Sequence, residues 1–134
     1  MHTLATAILE HTTDQGVHHD WLIEDPSLAN PYAPDARLWT ARFIPPPTHW
    51  PGLGCFELEV LPPHRRAYLT YQGPVRANRG RVRRVASGLV VAELWSAGRM
   101  RLFVRVDGFE GIIDTQLEQP LGHLARVEPA FQAD

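Results

Sequence analysis

Val17-His18-His19-Asp20-Trp21-Leu22-Ile23-Glu24 reads as an extended strand, and a strand turns successive side chains to opposite faces. His18, Asp20 and Glu24 then share one face, while His19, Trp21 and Ile23 share the other. The first face offers chemistry and the second packs. A histidine and a carboxylate two residues apart on a strand can converge on one cation. Any further donors must arrive from outside the stretch, and His11, upstream, and His64, far along the chain, are the candidates.

Working outward, residues 3–10 form a short apolar strand with His11 at its end, followed by the turn-prone Thr12-Thr13-Asp14-Gln15-Gly16. After Glu24, three prolines between Asp25 and Asp35 predict a surface loop. A second strand spans Arg37 to Ile44 and stops at Pro45-Pro46-Pro47, and residues 45–54 wander, with Trp50 placed over a core edge or in a lid. Phe56-Glu57-Leu58-Glu59-Val60 alternates strictly, with the glutamates in water, and Pro62-Pro63 is expected to break it. His64 to Pro74 reads as mostly extended, with His64, Tyr68 and Arg66 sharing a face. Two strands follow, Gly80 to Gly88 and Leu89 to Trp95. Then Ser96-Ala97-Gly98 turns into Arg99 to Val106, whose Met100, Leu102, Val104 and Val106 point inward. Asp107-Gly108 turns into Phe109 to Glu118, and the tail from Gln119 shows no strong period. Short strands at regular spacing, punctuated by glycine and proline, predict an all-β fold. The expected architecture is one compact antiparallel β-barrel of about eight strands with long proline-rich loops, spanning residues 1–134 as a single domain.

The composition bounds the function. Twelve prolines disfavour long helices, and 44% apolar residues with four tryptophans disfavour disorder. The lone Cys55 forms no internal disulfide, and the N-terminus lacks a basic and apolar leader, so a soluble cytoplasmic protein is expected. A net charge of −2 conceals segregation. Residues 1–60 carry two arginines against eight acids, residues 61–105 ten against Glu93 alone, and residues 106–134 one against six. The basic middle is either a phosphate-facing surface or a set of solvated strand faces paired with acidic neighbours.

His11, His18, Asp20 and His64 offer nitrogen and oxygen donors without thiolate, a set suited to Mn²⁺ or Zn²⁺. The bland counterpart is a polar core pair, because seven histidines place some beside carboxylates by chance. Tyr68 is a phosphate-orienting hydroxyl or a tyrosine at a barrel rim. His2, His49 and His123 lack comparable neighbours and read as surface. Ser87 and Cys55 lack an adjacent base, which argues against covalent nucleophilic catalysis. The chain has neither a Walker-type loop nor a Rossmann glycine pattern.

Taken in order, these stretches resemble the 3′-phosphoesterase domain of bacterial DNA ligase D. That family reads His, a short gap, then His-Tyr-Asp-Phe-Arg-Leu-Glu, where this chain has His11 and then His18-His19-Asp20-Trp21-Leu22-Ile23-Glu24. A later His, three residues, Tyr, two residues, Phe-Glu-Gly is matched by His64, Tyr68 and Tyr71-Gln72-Gly73. Gly80, Val82, Gly88 and Gly98-Arg99-Met100-Arg101-Leu102-Phe103 resemble the family's closing strands. The resemblance covers most of the chain. It implies a β-barrel with a concave polar site and a divalent metal, manganese first and zinc second. His11, His18 and Asp20 would be the ligands, with His64 and Tyr68 as the catalytic pair. The implied partners are nucleic-acid 3′ ends and a separate DNA ligase or polymerase.

This chain also departs from the pattern. The family's arginine two residues after the aspartate is Leu22, its glutamate two before the later histidine is Pro62, and its arginine eight before is Phe56. The gap between His11 and His18 is one residue longer. Arg65, Arg66, Arg76 and Arg79 are the replacements available for a phosphate clamp. A catalytically inactive barrel that binds nucleic acid or protein is the first rival reading. A cupin-like small-molecule metalloenzyme, with histidines on paired strands, is the second.

Overall fold

The computed structural model describes residues 3–118 and 122–130. Among these residues nine strands follow one another: β1 (Thr3–Thr13), β2 (Gly16–Glu24), β3 (Leu38–Phe43), β4 (Cys55–His64), β5 (Gly73–Pro74), β6 (Arg81–Trp95), β7 (Arg99–Val106), β8 (Phe109–Leu117) and β9 (Gly122–Pro129). One helical turn, α1 (Trp50–Leu53), interrupts the β3 to β4 connection, and short 3-10 helices lie at Pro47–His49 and Arg66–Leu69. The strands hydrogen-bond in the order β1-β2-β3-β4-β9-β8-β7-β6, and β6 returns to pair with β1. Eight antiparallel strands therefore close into a barrel, and β5 is an extra strand on the first residues of β6. Closure leaves the eight strands without an open edge.

Alternation decides what fills the barrel. Leu4, Ile8, Trp21, Ile23, Ala41, Phe43, Phe56, Leu58, Val90, Leu102, Ile113 and Ala125 belong to one buried cluster drawn from all eight strands. Trp50 plugs this cluster from α1, fully buried and stacked on Phe56 with ring centroids 4.7 Å apart. Its indole N–H donates to the Pro45 carbonyl at 2.9 Å, so the ring is core and carries no lid. Trp21 donates to the Thr6 hydroxyl at 2.8 Å, and that hydroxyl donates to the Leu22 carbonyl at 2.7 Å. The two indole donors are thus satisfied inside an apolar interior.

A second, smaller cluster lies on the outer wall. Leu9, Leu22, Leu38 and Val82 face away from the barrel interior and are covered by Tyr68, Leu69 and Val75. The cover is anchored by Arg66, whose guanidinium pairs with the buried Glu24 carboxylate and donates to the Pro31 carbonyl at 3.0 Å. Glu24 also accepts from the Ala5 amide at 2.5 Å. The segment between β4 and β6 therefore folds back over the wall formed by β1, β2 and β3.

Several local expectations change. Pro62 and Pro63 do not end β4, which runs through to His64 on the β3 neighbour. Residues 66–69 are a 3-10 helix rather than extended chain, so Arg66 and His64 do not share a strand face. The two strands expected across residues 80–95 are one, β6, fifteen residues long. The small side chains at its centre allow this: a Cβ at Gly88 would lie 1.9 Å from the Arg105 carbonyl oxygen, so only glycine lets β7 approach there. A register shift opposite Ile8 and Leu9 adds the twist that closes the wall. Within the tail, Gly122–Pro129 form β9, which pairs with both β4 and β8. Met1, His2, residues 119–121 and residues 131–134 lie outside the described residues.

Candidate metal centre and arginine-ringed hollow

His11 and His18 stand directly opposite one another on β1 and β2, and Asp20 follows one residue-pair further along the same face. The three meet on the outer wall, not inside the barrel. His11 Nδ1 lies 3.2 Å from Asp20 Oδ2, and His18 Nε2 lies 3.1 Å from Asp20 Oδ1. One donor atom from each residue falls within 4.8 Å of the others. Ligands about 2.1 Å from a common ion sit about 3 to 3.5 Å apart; Asp20 stands at that distance from each ring through a different oxygen, Oδ2 to His11 and Oδ1 to His18.

The hydrogen bonding of this group is incomplete without a positive charge. His11 Nε2 lies 2.6 Å from the Arg79 carbonyl, which only accepts, so that nitrogen carries a proton. In a neutral ring, Nδ1 is then a lone pair aimed at a carboxylate. The contact is satisfied by a shared proton or by a metal ion. On the other side, His18 Nε2 is close to Asp20 Oδ1 but is not aligned for a hydrogen bond, and Oδ1 is buried without a partner. Burial, opposed by Asp20 and aided by Arg42 and His11, holds the His18 imidazole below its usual range, in the neutral form that ligates. A neutral His18, an orphaned carboxylate oxygen and a His11 held by an outer carbonyl fit a divalent ion with two nitrogens and one oxygen.

A hollow of about 720 Å³ opens over this wall, lined by His11 and Asp20 and, on the covering segment and its flanks, by His64, Tyr68, Arg37, Arg65, Arg76 and Arg79. His64 is the last residue of β4 and is held by Leu38 and by Thr40, whose hydroxyl accepts from its amide at 3.3 Å. Its Nδ1 donates to the Pro62 carbonyl at 2.9 Å, which makes Nε2 the basic nitrogen. It does not join the three-residue group. Tyr68 sits edge-on to His64, ring centroids 6.0 Å apart, and edge-on to Tyr71 at 5.6 Å.

Two groups of arginines differ in their partners. On β7, Arg99 and Arg101 reach Asp114 at 3.1 and 2.9 Å, Arg101 also reaches Glu93 and Glu128, each at 3.1 Å, and Arg105 approaches Glu110 at 4.0 Å. The hydrogen bond from Arg99, with help from Arg101, holds the Asp114 carboxyl below its usual range. Arg66 is spent on Glu24. Arg37, Arg65, Arg76 and Arg79 form no ion pair with a carboxylate among the described residues, and all four line the hollow.

The structure therefore brings His11, His18 and Asp20 together, sets His64 and Tyr68 at the same hollow, and gives Arg65, Arg76 and Arg79 open charge there. Arg66 is turned to the scaffold. Arg37 escaped the sequence reading because it lies in the acidic first part of the chain, and only pairing of the next residue, Leu38, with His64 carries it to the rim. His123 corrects another reading: it is 5% exposed, with Nδ1 unpartnered, and burial lowers its pKa. The alternation of His123 and Ala125 inward was hidden because outward Leu124 is apolar too. His49 is exposed, as expected. Leu22 and Phe56, where the resembling family has arginine, are buried in the outer cluster and the barrel interior, respectively.

No protein-family model matches this chain, and no curated protein matches it. Among the described residues, no helix is long and apolar enough to cross a membrane.

Proposed function

We propose that this protein is a cytoplasmic, divalent-metal phosphoesterase of the DNA ligase D 3′-phosphoesterase type, acting on nucleic-acid 3′ ends. The observation that carries the proposal is a two-histidine, one-aspartate group of which His11 and Asp20 line one hollow together with four arginines that, among the described residues, have no carboxylate partner. A bound Mn²⁺ or Zn²⁺ supplies a Lewis acid for a phosphoryl oxygen. Asp20 alone contributes negative charge to the three-residue group, so an occupied centre beside these arginines is strongly cationic, and an anion completes it. A phosphate ester fits that charge. Arg65, Arg76 and Arg79 take the clamping role that Leu22 cannot, since charge at phosphorus is stabilised by position in space and not by order in sequence. His64 Nε2 is the group available to move a proton, and Tyr68 steadies its ring edge-on.

The test is incubation with Mn²⁺ and a primer-template bearing a 3′ phosphate or a 3′ ribonucleotide. Release of phosphate or nucleoside, lost in His18→Ala, is expected; no release above that variant overturns the enzymatic reading. Salt-dependent binding of the same DNA without turnover would point instead to an inactive barrel that holds nucleic-acid ends. The cupin-like reading has its histidines on paired strands, but both lie on the outer wall, where His11 lines the arginine-ringed hollow, and not in the barrel interior.

A further inference from the structure

The most constrained backbone around the hollow is residues 75–80, an arm closed by a bond from the Val75 amide to the Gly80 carbonyl at 2.7 Å. At its tip Ala77 and Asn78 both take left-handed conformations, with φ of 60° and 56°, which side chains other than glycine adopt seldom. At its base Gly80 has φ of +90°, and a Cβ there would lie 1.9 Å from the Thr12 carbonyl oxygen. The arm therefore sits flush on β1 only because residue 80 is glycine. Seating it brings the Arg79 carbonyl to 2.6 Å from His11 Nε2. Arg76 and Arg79, which line the hollow, ride on the same arm.

We propose that this arm is the positioning element of the cation centre. The Arg79 carbonyl accepts the Nε2 proton of His11 and so presents Nδ1 as a ligand. A cation held by His11, His18 and Asp20 in turn holds the arm, with Arg76 and Arg79, against the barrel. Outer partners of this kind orient a ligating imidazole and raise its basicity, and losing one costs about 10- to 100-fold in metal affinity. Linkage makes the effect reciprocal: whatever the seated arm adds to cation affinity, the cation adds to seating of the arm. The proposal rests on the cation-binding part of the function above and not on phosphoester turnover.

The experiment titrates Zn²⁺ and Mn²⁺ calorimetrically into the metal-stripped full chain, alongside Gly80→Ala, which lifts the arm base. The double change Ala77→Val with Asn78→Val is titrated too, because β-branched residues disfavour the left-handed tip without touching the barrel. Affinity is expected to fall 10- to 100-fold in the first and several-fold in the second. Trypsin, which cuts after arginine, gives a readout independent of affinity. Cleavage after Arg76 and Arg79 is expected to slow several-fold when Zn²⁺ is added to the natural chain, and not in His11→Ala. A natural chain that binds neither ion removes the cation reading, and the proposal with it. A natural chain that binds, with both arm variants binding equally tightly or with His11→Ala protected equally well, overturns the role of the arm alone.

Discussion

Asp20 is the residue on which both histidines converge, and its side chain is only 4% exposed. A buried carboxylate with an unpartnered oxygen is costly to fold around, a cost that the proposed cation would offset. Asp20→Asn keeps the shape and removes the charge. It is expected to lower Zn²⁺ affinity by more than the roughly 10- to 100-fold that an outer partner is worth, while the thermal midpoint holds or rises; calorimetry and a melting curve on one sample check both. His123 carries a separate prediction. Its folded-state pKa lies below the usual value of 6.5 because burial disfavours the cation, so the unfolded chain binds more protons in that window. Its contribution is thus full above about pH 6.5 and is lost as pH falls through the depressed value. His123→Leu is expected to flatten urea-measured stability between pH 7 and pH 5; an unchanged slope would assign the acid sensitivity elsewhere.

At the scale of elements, the 3-10 helix Arg66–Leu69 is a lid fastened to the wall, apolar underneath through Leu22 and Leu38 and ionic at its start through Arg66 and Glu24. Removing one member of such a pair leaves the other charge stranded. The Glu24 side chain is 4% exposed and that of Arg66 is 25% exposed. Arg66→Leu is therefore expected to cost about 2–4 kcal/mol in urea unfolding, somewhat less than a fully buried pair. Replacing both partners by leucine should restore part of that loss. A change within 0.5 kcal/mol, about the scatter of ordinary surface substitutions, would show that the apolar contacts alone hold the cover. An apolar side chain at position 22 seals the cover that carries Tyr68 and Leu69.

Across the whole molecule, the charge segregation of the sequence becomes two different surfaces. On β7 the arginines are neutralised by acids from the neighbouring strands, whereas those around the hollow are not. DNA affinity should therefore depend on the second set. Each of Arg65→Ala, Arg76→Ala and Arg79→Ala is expected to reduce the slope of log affinity against log salt by about one, and Arg99→Ala to leave it unchanged. Equal effects from both sets would mean that the whole basic segment binds as a diffuse surface. Of the two alternatives that the sequence offers for ten arginines, paired strand faces describe those on β7, and the phosphate surface is the proposal for those at the hollow.

What the sequence determined by itself was periodic: period-two alternation in β2, β3, β4 and β7, with strands punctuated by glycine and proline, was enough for a barrel of about eight strands, because side-chain direction on a strand is local. The candidate donors His11, His18 and Asp20 were legible for the same reason, since one hairpin holds all three. Tertiary structure alone decided that they lie on the outer wall, that β4 passes through two prolines, and that β9 exists. It also decided that Arg66 serves the scaffold while Arg37 reaches the hollow. Those outcomes depend on which distant strand lies alongside and which charge is already taken, and neither is written in the spacing of neighbouring residues.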